Sequence, residues 1–197
     1  MAATGKTGSV ESDTGVSSRR LEGLSDGIMA VAITLLVLNV EPPERAAGES
    51  LWQALDAQVV GEIGVFLLSF LLIARYWLVH HRVFAFLPSR CSPRFVAVNF
   101  AFLATICLMP FTTEIFTANS DDVTALAVYA GGLALGSALL GAMFRLAGRP
   151  GGRRSLLVPF VFLAAIPVGL VIGPQFAPLT WFLLALVPEE RRRPAPR

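Results

Sequence analysis

Six apolar runs, each ended by a helix breaker or a charged loop, leave this chain little choice of environment. They are Leu21–Val40, Leu55–His80, Phe95–Phe116, Val123–Leu146, Leu156–Ile172 and Phe176–Val187. Crossing a hydrocarbon core about 30 Å thick takes about 20 mostly apolar helical residues, and the first four runs reach that length. The last two are shorter and are divided by Gly173-Pro174, as a tight hairpin or as one broken helix. Pro110 sits inside the third run and predicts a kink there. The chain is 54% hydrophobic and 15% charged, with a mean hydropathy of +0.65, too little charged surface for a soluble domain. The expected fold is all-α, a polytopic membrane protein with six transmembrane helices.

The basic residues orient these helices. Lys6, Arg19 and Arg20 precede the first run; Arg82, Arg90 and Arg94 follow the second; Arg145, Arg149, Arg153 and Arg154 follow the fourth; Arg191, Arg192, Arg193 and Arg197 follow the sixth. The alternate loops carry only Arg45, beside Glu41, Glu44, Glu49, Asp121 and Asp122. Positive charge stays inside, so an even number of spans with cytoplasmic N- and C-termini in the cell membrane is expected. Residues 1–18 read as a disordered cytoplasmic tail, 19–188 as the six-helix domain and 189–197 as a basic cytoplasmic tail. "SSRRLEGL" resembles a twin-arginine export signal, but the run behind it begins with an acid and further spans follow. A net charge of +2 gives no field for nucleic acid. Cys91 and Cys107 fit no metal or redox spacing, so ordinary thiols are expected, with no metal and no cofactor.

Some polar residues sit where lipid should exclude them. Ser25 and Asp26 lie near the start of the first run, and their bland reading is local capping of free N–H groups. The second run ends "ARYWLVHHRVF", where Trp77 and His80 are three apart and share a helix face, with His81 close to it. Trp and His N–H groups are donors, Ser25 and Asp26 offer acceptors, and the two sets fall at one depth, which predicts a link between the helices. Above them Val31, Leu35 and Leu38 form one stripe, extended down by Ile28 and joined by Thr34. Such a stripe faces lipid, a partner helix or a pore, and a membrane threonine commonly bonds its own backbone. Glu62 and Glu114 are read as cation or proton sites, or as interface and hydrogen-bonding acids. Gly132, Gly136 and Gly141 would admit close helix packing, within or between subunits.

"RLEGLSDGIMAVAITLLVLNV" resembles the first helix of the bacterial transmembrane-protein-175 family of potassium channels, whose signature is Arg, three residues, then Phe-Ser-Asp. Arg20, Ser25 and Asp26 match it, and Leu24 stands in place of the Phe. "WLVHHRVF", with Trp77 and His80, is similar to the family's second-helix motif. The resemblance implies a homotetramer in the lipid bilayer, its pore lined by the first helix and permeable to K+. It implies an apolar constriction at Val31, Leu35 and Leu38, a pore threonine at Thr34, and a motif network of Arg20, Ser25, Asp26, Trp77 and His80 holding the helices together behind the pore. No TVGYG filter is present in the sequence.

Two rivals differ in class. A proton-coupled transporter would use Asp26 and His80 with Glu62 or Glu114, but there is no internal repeat, and Pro110 is the only breaker within the long runs. A membrane-embedded enzyme would need His80, His81 and Asp26 to hold a metal or act as base, and a third strong ligand is missing.

Overall fold

The computed structural model describes residues 15–43, 47–55, 57–149 and 153–181. A short strand, β1 (Val16–Ser17), leads into α1 (Ser18–Leu35), which tightens to a 3-10 turn over Leu36–Asn39. Pro42 and Pro43 follow; without N–H groups they cannot extend the helical ladder. A single turn, α2 (Leu51–Ala54), precedes the long α3 (Ala57–Phe84). Strand β2 (Arg90–Cys91) lies in the turn to α4 (Pro93–Ala118), and α5 (Val123–Leu146), α6 (Arg153–Ile172) and a 3-10 turn at Ala177–Trp181 complete the order.

The helix starts are written in the sequence. Ser92 accepts from the N–H of Phe95 and Pro93 takes the first helical position, where a missing donor costs nothing. Asp122 accepts from the N–H of Thr124 at the head of α5, a bond that holds its carboxyl below the usual aspartate range. Beyond α5 the chain reverses at Gly148, whose φ of +71° suits glycine.

Among the described residues, four helical stretches are long and apolar enough to cross a membrane: Ser18–Asn39, Gly61–Phe84, Pro93–Ala118 and Val123–Leu146. The fifth expected span corresponds to the shorter Leu157–Ile172. Of the sixth, Phe176–Val187, only a 3-10 turn to Trp181 is described; residues 182–197, including the 189–197 tail, lie outside the described residues. The expected tail of residues 1–18 needs correction at its inner end, because Val16 and Ser17 pair with Cys91 and Arg90 and Ser18 already opens α1.

Helices α4 and α5 form the centre, with α6 along α5 and with α1 against α4 and α3. A polar seam ties the core across helices. Ser69 Oγ and the Tyr129 hydroxyl are 2.6 Å apart, Thr113 Oγ1 lies 3.1 Å from Ser69 Oγ, and the Tyr76 hydroxyl reaches Ser137 Oγ and the Leu133 carbonyl. Buried hydroxyls need such partners, since lipid offers none. Gly132 and Gly136 serve this packing inside the subunit. A Cβ on Gly136 would stand 3.5 Å from the Tyr76 ring, and one on Gly132 would stand 3.0 Å from Met109 Cε. Helix α4 runs through Pro110 as one helix, and Asn39 Nδ2 donates to the Pro110 carbonyl at 2.7 Å, fastening the far end of α1 to it.

Candidate functional site

The site is α1 seen from both sides. Its inner face buries Leu21, Ser25, Met29, Ala32 and Leu36. Its outer face leaves Arg20, Gly23, Leu24, Gly27, Ala30, Val31, Thr34, Leu35 and Leu38 uncovered along the whole length. Val31 is 57% exposed, Leu35 42% and Leu38 73%, so bulky apolar groups dominate the open face above Gly27. Thr34 lies among them and donates to the Val31 carbonyl at 2.8 Å.

On the inner face a chain of hydrogen bonds knots three helices. Ser25 lies about two turns inside α1, so it cannot cap the helix start; its hydroxyl donates to the Leu21 carbonyl at 2.8 Å. Asn99 of α4, fully buried, donates from Nδ2 to Ser25 Oγ at 3.1 Å, and its Oδ1 is 2.8 Å from His80 Nε2. The direction of the chain fixes the imidazole: Nε2 carries the hydrogen and donates to Asn99, leaving Nδ1 as a bare acceptor. That Nδ1 is buried with no partner among the described residues. Phe102 stacks on His80 at 5.4 Å and Phe84 lies 4.8 Å away, so the ring sits in a dry aromatic slot.

Beside the knot, α1 and the antiparallel α3 are rungs of one ladder. Asp26 Oδ1 accepts from Trp77 Nε1 at 2.8 Å, and one turn lower Glu22 Oε1 is 3.0 Å from His81 Nδ1. The Trp77 and His81 rings are stacked, 6.1 Å between centroids. Asp26 is half-buried. Arg20 stands apart from this ladder: its side chain is exposed, with no hydrogen bond to Ser25 or Asp26 among the described residues. The expected direct contact of His80 with Ser25 or Asp26 is replaced by the relay through Asn99.

At the opposite end of the bundle a cavity of about 790 Å³ is lined by Leu38, Asn39, Glu41, Glu62, Glu114 and Thr117 among others. The N–H of Glu41 donates to Glu62 Oε2 at 3.1 Å, which gives Glu62 a hydrogen-bonding role. Among the described residues no group of three or more His, Cys, Asp or Glu side chains is placed to hold a metal ion.

The family model "Endosomal/lysosomal potassium channel TMEM175" matches residues 20–110, the stretch that contains the stripe, the knot and the ladder. Over that stretch the chain is similar to the TMEM175 family. A Streptomyces collinus protein named a potassium channel is 35% identical over 96 residues, 49% of this chain and 46% of that protein. A potassium channel of Chamaesiphon minutus is 34% identical over 133 residues, 61% of this chain and 59% of the relative. The rat endosomal/lysosomal proton channel TMEM175 is 26% identical over 105 residues, 53% of this chain and 21% of that protein. The chain thus spans about half the length of the bacterial relatives it matches. The crystal structure of a lysosomal potassium-selective channel TMEM175 homolog from Chamaesiphon minutus superposes with a TM-score of 0.74 at 26% identity, covering 86% of this chain and 94% of that one. The four long helices are therefore arranged as in a TMEM175 fold.

Asn99 is the member of the knot that sequence reading missed. Its signal was present as a lone asparagine in the apolar stretch "FVAVNFAFL". An amide inside a span demands partners, and Ser25 and His80 were already waiting for one.

Proposed function

We propose that this chain forms a potassium-permeable cation channel, a homotetramer in the cell membrane with both termini in the cytoplasm. The exposed stripe of α1 lines its pore, and the network of Ser25, Asp26, Trp77, His80 and Asn99 behind it holds the helices in place, with Arg20 outside that network on the exposed face at the foot of α1. The carrying observation is that the apolar face of α1, from Val31 to Leu38, is open along its length while the opposite face is fixed by buried hydrogen bonds. A rotational assembly sets several copies of each such side chain in a ring. Val31, Leu35 and Leu38 then form apolar constrictions that pass an ion only as it strains its hydration shell, and K+ holds that shell less tightly than Na+. Thr34 supplies a hydroxyl between the rings. The bacterial relatives named potassium channels support the permeant ion.

Purified protein in sealed liposomes with a K+ gradient tests this. K+ efflux exceeding Na+ efflux is expected, and a folded preparation with no K+ conductance overturns the reading. The vertebrate relatives named proton channels favour a second reading, in which H+ permeates the same conduit. A pH-sensitive dye in the same vesicles separates the two. A proton-coupled transporter using Asp26 and His80 would instead show uptake driven by a pH gradient, lost in Asp26→Asn.

A further inference from the structure

The short strands β1 and β2 do a job that the pore reading does not use. Helix α1 begins one residue after β1, so whatever holds β1 holds the foot of the exposed stripe. β1 is antiparallel to β2, with Val16 opposite Cys91 and Ser17 opposite Arg90. The N–H of Ser18 donates to the Ser89 carbonyl at 3.0 Å, and the Arg90 guanidinium donates to the Gly15 carbonyl. A Cβ on Gly15 would stand 3.1 Å from Arg90 Cβ and 3.3 Å from the Cys91 carbonyl, so a side chain there would crowd the β2 strand. Cys91 is 4% exposed and lies at the head of an aromatic run: Phe95 packs on Phe84, Phe84 on His80, and His80 on Phe102. The strap therefore joins the foot of α1 to the turn between α3 and α4, next to the knot. It is only two residues long on each side, so it can part without unfolding the bundle.

We propose that this β1–β2 pair is a gating latch. Paired, it pins the foot of α1 to the α3–α4 turn; parted, it lets that foot, and the stripe above it, shift. The proposal rests on the pore reading. The test is Val16→Cys in a Cys107→Ser background, which leaves Cys91 as its only cysteine partner in the chain, with single-channel recording in planar bilayers. Oxidation is expected to lower the frequency of open–closed transitions severalfold, reversibly with reductant. Gly15→Val, which crowds the strands apart, is expected to raise it. A confirmed cross-link with unchanged gating overturns the latch and leaves the pore reading intact. Failure of both this cysteine pair and a Ser17→Cys/Arg90→Cys pair to cross-link overturns the pairing. A wild-type protein that conducts no ion overturns the pore reading and the latch with it.

Discussion

Single side chains divide into those that bond and those that are left open. Asn99 is the clearest of the first kind, because it satisfies Ser25 and His80 at once from a third helix. Asn99→Ala strips both partners in a medium without water, at a cost of about 1–3 kcal/mol, the range for stranding buried polar groups. The expected outcome is a fall of several degrees in the thermal midpoint in detergent, read by intrinsic fluorescence. Thr34→Ala, which removes an exposed hydroxyl bonded only to its own helix, leaves the midpoint unchanged. Leu35 is the clearest of the second kind. In the proposed pore Leu35→Ala widens an apolar ring, and it is expected to raise unitary conductance roughly twofold or to lower the K+/Na+ permeability ratio, with no loss of folded yield. The types of these residues were readable in the sequence, but their wiring was not. Trp77 and Asp26 could be matched by depth, whereas the link from His80 to Ser25 passes through a residue 74 positions from Ser25, which no local pattern joins.

Elements carry the same lesson in their ends. Pattern and breakers placed the four long helices within a few residues, and the Ser92-Pro93 and Asp122 starts follow from capping chemistry. The start of α1 was misplaced because hydropathy begins at Leu21, while the helix begins at Ser18, where pairing of β1 with β2 anchors it. That shift changes what Ser25 and Asp26 can be: two turns inside, they are cross-helix groups and not caps. At its other end α1 narrows to a 3-10 turn, which rotates Leu38 relative to an α-helical stripe and brings Asn39 onto the Pro110 carbonyl. Ser92→Ala removes the acceptor at the head of α4 and is expected to cost about 1 kcal/mol, seen as a lower thermal midpoint with ion flux per folded channel unchanged. Asn39→Leu frees the far end of α1 instead, and is expected to alter flux more than it alters the midpoint.

Across the whole molecule burial is uneven. The spans of α4 and α5 are each 50% buried in the single chain, but that of α1 is 28% and that of α3 33%. Lipid can cover an apolar face, yet it gives no reason for the least covered of the four long helices to carry the polar knot on its inner side and Thr34 on its open side. Assembly around α1 gives one, and it makes the two faces of that helix separable by experiment. Cysteines placed one at a time at Val31 and Leu35, in a Cys107→Ser background, should react with a charged, membrane-impermeant thiol reagent and lose flux, because the proposed pore would bring water to them. Cysteines at Leu135 and Phe160, which are as exposed in the single chain, should react slowly and keep their flux, because lipid surrounds them. Asp26→Ala and Asn99→Ala should act otherwise again, lowering the fraction of four-copy assemblies by native mass measurement while the assemblies that form still conduct. Equal reactivity at all four cysteine positions would mean that the stripe faces lipid like any other surface. A loss of flux without a loss of assembly in Asp26→Ala would move that carboxylate from the scaffold into the ion path.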